Sequence, residues 1–129
     1  IYLSELSLSD TNVLSETSNK LVKYFTGNLQ DFNVPIKVKG TSFEISAWRA
    51  LLRIPYGETW SYFKQANFIN KPKAIRAIGN ANSKNPLPII IPCHRVIGKD
   101  GSLRGFSGGI EKKTYLIELE KKFKHVHMN

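Results

Sequence analysis

The chain has a single cysteine, Cys93, which is followed directly by His94 and Arg95 and preceded by an apolar run that contains several prolines. Thiolate is the nucleophilic form of cysteine, and a neighbouring imidazole can accept the thiol proton. Because proline fixes φ and removes a backbone donor, residues 86–92 are predicted to be an edge or a buried connector that holds the thiol with little freedom. A lone cysteine can also be a small, inert, buried hydrophobe.

The 129 residues carry a formal net charge of +9. This length predicts one domain, or one and a fraction, with a single core. Excess positive charge favours a polyanionic partner, because lysine and arginine release counterions condensed on phosphates; a solvated basic surface is the alternative. A cluster of cations that favours a binding face comprises Lys71, Lys73, Arg76, Lys84, Arg95, Lys99 and Arg104.

One cysteine excludes an internal disulfide and favours a reducing, intracellular setting. No apolar run has the length of a membrane span, and residues 1–5 do not resemble a signal peptide. We therefore expect a cytoplasmic protein, associated with the nucleoid if the source is bacterial, that does not bind membranes.

The apolar periodicity predicts mainly helices. One helix covers residues 11–25 and ends at Gly27, and a second begins at a cap on Thr41 or Ser42 and stops before Pro55. Residues 32–38 are predicted to be an extended edge segment, and Asp100 with Gly101 a turn. A last helix over residues 110–123 is expected to place on its inner face Tyr115, Leu116, Leu119 and Phe123.

Two short helices are predicted at residues 61–69 and 72–81, with Pro72 at the first helical position of the second. A short helical pair with a tight turn and cations on its second helix outlines a helix-turn-helix, although such pairs also occur as plain packing units. The second helix is rich in small residues and can approach a narrow groove. Its predicted core positions are Ala74, Ile75, Ile78 and Ala81, and its outward positions are Lys73, Arg76 and Asn80.

Five segments, residues 54–62, 74–79, 85–86, 92–96 and 106–109, resemble in order and spacing the O6-alkylguanine-DNA alkyltransferases. The Pro-Cys-His-Arg core is specific in this context, and the resemblance runs from about Asn19 to Glu120. It implies a mostly α fold with a winged helix-turn-helix-like alkyltransferase catalytic domain over residues 41–129. Residues 1–40 would then be a truncated N-terminal segment, a remnant of the family's N-terminal β-containing domain.

The resemblance also implies an activity, that of a methylated-DNA–protein-cysteine S-methyltransferase. Such a protein moves an alkyl group irreversibly from O6 of guanine in double-stranded DNA to its own cysteine, here Cys93, one lesion per molecule. His94 would accept the thiol proton through a water, and Glu120 would fix the tautomer of His94; without the family, Glu120 would be taken as a surface carboxylate. Neither a cofactor nor a metal nor a required protein partner is expected.

The same resemblance assigns residues to the substrate. The Tyr62 hydroxyl would donate to guanine N3, the Ser107 backbone N–H would lie near O6, and the Cys93 and Val96 carbonyls would accept from the exocyclic amine. Pro88 would wall the alkyl pocket, and Phe106 stands where many relatives have tyrosine. Other interpretations are an interfacial packing role for Tyr62 and a rigid strand end at Pro88.

For the DNA, the resemblance implies that the target base is flipped out and that the second short helix enters the minor groove. Arg76 would fill the gap left by the base, and Lys73 and Arg95 would also contact DNA. Asn85 would hold the turn that joins this helix to the cysteine loop, although asparagine before proline is a common turn former in any case.

Two competing functions follow from the sequence. One is a lesion-sensing DNA-binding module of the alkyltransferase-like type, which accepts no alkyl group; such proteins replace the cysteine, so Cys93 argues against it. The other is a cysteine hydrolase built on Cys93 and His94. Nothing near these residues resembles an oxyanion site or a third catalytic member, which disfavours hydrolysis.

Overall fold

The computed structural model describes residues 2–3, 11–103 and 109–125. The elements in chain order are β1 (Tyr2–Leu3), α1 (Thr11–Phe25), β2 (Pro35–Ile36), α2 (Ser42–Leu51), β3 (Trp60–Ser61), α3 (Tyr62–Phe68), α4 (Ile75–Ser83), a 3₁₀ turn (Cys93–Arg95), β4 (Val96–Ile97) and α5 (Ile110–Phe123). Helices dominate the described residues, as the sequence predicts. None of the helices in these ranges combines the length and apolar character needed to cross a bilayer.

Helix α1 ends, and helix α2 begins, where the sequence predicts. At the end of α1, Gly27 has φ +79° and its N–H donates to the Tyr24 carbonyl at 3.1 Å. At the start of α2, the Thr41 hydroxyl accepts from the Glu44 N–H at 3.1 Å, and the Glu44 carboxylate accepts from the Thr41 N–H at 2.9 Å. This reciprocal pair is a capping box, which satisfies two backbone donors that the helix itself leaves unpaired.

The second helix of the short pair begins later than predicted. Asn70 has φ +62°, and the Ala74 N–H donates to the Lys71 carbonyl at 2.9 Å, so residues 71–74 form a separate turn and α4 starts at Ile75. The placement of Pro72 at the first helical position was therefore wrong. Ile78 and Ala81 are buried as predicted, whereas Ile75 is 43% exposed and does not join the core.

Two parallel strand pairs connect distant parts of the chain. β1 pairs with β2, and β3 pairs with β4 in the register Trp60 with Val96 and Ser61 with Ile97. The predicted turn is present, since Gly101 has φ +85° and the Gly98 N–H donates to the Ser102 carbonyl at 2.7 Å. The second pairing places the start of α3 beside the chain that leaves the cysteine turn.

Among the described residues, the larger of two apolar clusters includes Cys93 itself. Residues of the N-terminal 40, namely Tyr24, Phe32, Val34 and Ile36, pack in the same cluster as Trp48, Leu51, Ile54, Ile91, Val96 and Leu116. On α5 the buried positions are Lys113, Leu116, Ile117 and Glu120. Tyr115 is 56% exposed, so its predicted place on the inner face was wrong. The buried face of α5 is rotated by about one residue from the predicted face, and it includes the charged residues Lys113 and Glu120.

Buried polar contacts fasten α4 to its neighbours. The Trp48 indole N–H of α2 donates to the Ala81 carbonyl at 2.9 Å. Gln65 of α3 and Asn82 of α4 exchange two amide hydrogen bonds of 2.9 and 2.8 Å, and Gln65 also donates to the Ala47 carbonyl. Because directional bonds between buried groups tolerate little rotation, they set the angle at which α4 is presented.

Candidate active site

Cys93 begins a single 3₁₀ turn and is 6% exposed. Its N–H donates to the Ile91 carbonyl at 2.8 Å. The side chain of Asn85 braces the chain just before it, donating to the Ile91 carbonyl at 2.7 Å and accepting from the Leu87 N–H at 2.9 Å. Ile89 lies between these contacts with φ +77°, a region that β-branched residues rarely occupy. The thiol is therefore held by a tightly constrained loop.

His94, the next residue, is completely buried and faces Glu120 of α5. Its Nε2 lies 2.6 Å from Glu120 Oε2, whereas its Nδ1 is buried and has no hydrogen-bond partner among the described residues. A carboxylate can only accept, so Nε2 carries the proton and Nδ1 is left as a base.

Glu120 accepts from four residues at once in the described part of the chain. In addition to His94, the Tyr24 hydroxyl donates to Oε2 at 2.6 Å, the Gly57 N–H donates to Oε1 at 3.1 Å, and Arg95 donates to both oxygens at 2.8 and 3.0 Å. These donors come from α1, from the loop before β3 and from the cysteine turn. Glu120 is thus the point at which the elements around the thiol converge.

Arg95 points inward. It is 8% exposed, its Nε and Nη2 bind Glu120, and its Nη1 donates to the Ile54 carbonyl at 2.7 Å. The prediction that Arg95 contacts DNA was wrong, because its guanidinium is used to neutralise a buried carboxylate.

The protonation states follow from burial and neighbours. Burial raises the pKa of the Cys93 thiol, against smaller lowering effects of Asn85 and Lys113. Burial lowers the pKa of His94, although Glu120 opposes this. Burial by itself would raise the pKa of Glu120, but the hydrogen bonds and charges of His94 and Arg95 lower it to about 2. At neutral pH the site holds a thiol, a neutral imidazole and a carboxylate.

Lys113 is a residue that the sequence reasoning missed. It is 1% exposed, and its Nζ lies 5.9 Å from the centroid of the Tyr62 ring. Burial lowers the pKa of Lys113 to about 8, and the thiolate form of Cys93 has a smaller, raising effect. The available signal was spacing, since Lys113 stands seven residues before Glu120 on the face that also carries Leu116 and Ile117. The Tyr24 hydroxyl, which donates to Glu120, is a second group that the sequence reasoning missed.

The other predicted site residues lie in different settings. Val96 is fully buried, Tyr62 is half-buried at the start of α3, and Pro88 is exposed in the loop before Cys93. Lys73 and Arg76 are exposed, before and within α4. Phe106 and Ser107 lie outside the described residues, and their roles stay predictions. The described residues contain no cluster of three or more groups suited to a metal ion.

Fold and site together define a class: a mostly helical domain in which a helix-turn-helix-like pair is joined to a cysteine, histidine and glutamate site. Residues 42–122 match the family model described as 6-O-methylguanine DNA methyltransferase, DNA binding domain. The chain belongs to this family, and the predicted mostly α alkyltransferase fold is confirmed.

Known relatives support this membership. The inducible methylated-DNA–protein-cysteine methyltransferase of Bacillus subtilis is 48% identical over 91% of this chain. The crystal structure of Mycobacterium tuberculosis OGT in complex with DNA superposes with a TM-score of 0.83 at 50% identity, over 84% of this chain and 68% of that one. The chain spans 65% of the length of the Bacillus protein.

A more distant structure also matches. Schizosaccharomyces pombe Atl1, in complex with damaged DNA containing O6-carboxymethylguanine, has a TM-score of 0.57 at 27% identity, over 64% of this chain and 79% of that one.

Proposed function

We propose that this protein repairs DNA by transferring a methyl or other alkyl group from O6 of guanine to Sγ of Cys93. The observation that carries the proposal is the His94 to Glu120 contact of 2.6 Å, made by the residue that directly follows Cys93 in the chain. It occurs in a chain about half identical to relatives named for this transfer.

The buried thiol needs a base, because its raised pKa leaves little thiolate at neutral pH. Nδ1 of the neutral His94 would accept the proton from the Cys93 thiol through a bridging water. Glu120 would then stabilise the imidazolium. Lys113 lowers the pKa of Cys93 by its charge, and so favours the thiolate.

In the transfer, a bond forms between Sγ and the alkyl carbon while the bond from that carbon to guanine O6 breaks. The electron pair of the broken bond stays on guanine, which takes up one proton as the thiol loses one, so the reaction balances without another reactant. The Tyr62 hydroxyl and the Ser107 N–H would donate to the leaving base. Since the thioether is stable, each molecule acts once.

DNA would be bound through α4. This helix is slim, Arg76 on it and Lys73 just before it are exposed, and its angle is set by the buried contacts to α2 and α3. We propose that α4 lies in the minor groove, with Arg76 in the space of the flipped-out guanine. The alkylated base would enter a pocket in which Pro88 walls the alkyl group and the Val96 carbonyl accepts from the exocyclic amine. Such a protein would act inside the cell, where its DNA lies and its thiol stays reduced.

A lesion-sensing role without transfer is the second candidate, and the similarity to S. pombe Atl1 is what favours it. The presence of Cys93 within a hydrogen-bonded histidine and glutamate site favours transfer.

The test is the mass of the protein after incubation with duplex DNA containing O6-methylguanine. We expect the peptide that contains Cys93 to gain one methyl group, and Cys93→Ser to bind the same DNA without gaining mass. Unmodified wild-type protein that is folded and bound to the lesion would refute transfer and support the sensing role.

A further inference from the structure

The Tyr24 hydroxyl donates to Glu120 Oε2 at 2.6 Å across 96 positions of sequence. The same oxygen lies 2.6 Å from His94 Nε2. Tyr24 belongs to α1, far from the cysteine loop in the sequence, yet it binds the oxygen that holds the imidazole proton.

We infer that Tyr24 is a positioning residue of the cysteine site, which acts through Glu120 on the basicity and tautomer of His94. The inference deepens the proposed function and rests on it for its catalytic meaning. It makes helix α1 a part of the reactive centre.

The position of the hydroxyl is fixed by packing. Tyr24 is fully buried, and its ring lies 5.4 Å from the Phe25 and Phe32 rings and 6.2 Å from the Tyr56 ring. Burial and the neighbouring Glu120 raise the pKa of Tyr24, so the phenol remains a donor across the physiological range. A rigid, always protonated donor fixes the direction of the Glu120 lone pairs that remain for His94.

Removing the Tyr24 hydroxyl should raise the pKa of His94, because both groups donate to the same Glu120 oxygen. A carboxylate oxygen that loses one strong donor becomes a better acceptor for the other, so it holds the His94 proton more firmly. The other charged or titratable groups around this pair are Arg95 of the cysteine turn, Lys113 of α5, Tyr56 of the loop before β3 and Cys93 itself. All of them persist when only the Tyr24 hydroxyl is removed.

The test is imidazole nitrogen NMR of Tyr24→Phe, which keeps the buried ring. We expect wild-type His94 to carry its proton on Nε2 and to be neutral at pH 7. In Tyr24→Phe the His94 titration midpoint should rise by about half a pH unit or more. An unchanged midpoint in a folded Tyr24→Phe protein would overturn the inference.

Tyr56→Phe is the matched control. The Tyr56 ring lies beside Tyr24 and Arg95, but its hydroxyl makes no hydrogen bond within the described residues, so the midpoint should not move. Action through Glu120 also predicts that Tyr24→Phe adds no shift in a Glu120→Gln background. An equal shift there, or in Tyr56→Phe, would show a general packing effect and overturn the inference.

The rate of methyl transfer is measured on the same samples. Wild-type protein that transfers nothing refutes the proposed function, while the His94 titration still decides whether Tyr24 acts on the imidazole. The two failures are therefore distinguishable.

Discussion

Glu120 is 2% exposed and would be costly to bury alone, because a buried carboxylate loses its hydration. Arg95 supplies the compensating charge, and Tyr24, Gly57 and His94 supply further donors. Removing one partner of a buried ion pair destabilises a protein more than replacing both partners by apolar residues, since the remaining charge stays buried. This carboxylate is therefore a structural residue as well as the partner of His94.

Stability should fall in acid because of Glu120. Its folded pKa is about 2, against an ordinary value of 4.5, so between these pH values the unfolded chain binds the proton more readily and unfolding is favoured as pH drops. Urea unfolding from pH 7 to pH 2 should show this loss. Glu120→Gln should cost about 3–5 kcal/mol at pH 7 and flatten the decline.

Glu118→Gln on the same helix is the control. Glu118 is exposed, and the change should stay within about 0.5 kcal/mol. A Glu120→Gln protein as stable as wild type, with the same acid profile, would contradict the assigned role.

At the scale of elements, the sequence predicts that α4 is a helix but places its first residue at 72 instead of 75. Its small residues and its arginine are visible in the sequence, whereas the turn predicted as its start is a separate turn at residues 71–74. The Gln65 and Asn82 amide pair, which joins α3 to α4, could not be foreseen, because two separated polar residues show no sign that they face each other.

Arg76→Ala should slow repair of O6-methylguanine in duplex DNA by about tenfold or more, while reaction with free O6-benzylguanine changes little. Extruding a base costs a few kcal/mol, and only the duplex reaction needs a side chain to fill the gap. Single-turnover rates on the two substrates measure this.

Lys37→Ala removes an exposed cation outside the helical pair and serves as the control. It should leave the ratio of the two rates unchanged. If Arg76→Ala slowed both substrates equally, Arg76 would not be the intercalating residue.

For the whole molecule, the net charge of +9 predicts salt-sensitive DNA binding. Each phosphate neutralised makes the slope of log affinity against log salt concentration more negative by about 0.9. We expect a steep fall between low and physiological ionic strength in fluorescence anisotropy titrations with undamaged duplex. A flat titration would contradict phosphate contacts by the exposed cations.

The proposed division at residue 40 remains a prediction. Tyr24, Phe32, Val34 and Ile36 lie in the same core as the helices that carry the site, and Tyr24 reaches Glu120. These buried residues thus share one core with the region that follows.

The sequence by itself predicted the candidate nucleophile Cys93, the imidazole next to it and most of the helices, because these depend on neighbouring residues and short periodic patterns. It also carried the family's Pro-Cys-His-Arg core. Only the tertiary structure decided that Arg95 turns inward, that Lys113 is buried and that Tyr24 and Gly57 meet at Glu120. Those outcomes depend on which distant segments pack together, and the charge or type of a residue does not reveal whether its side chain faces solvent or the core.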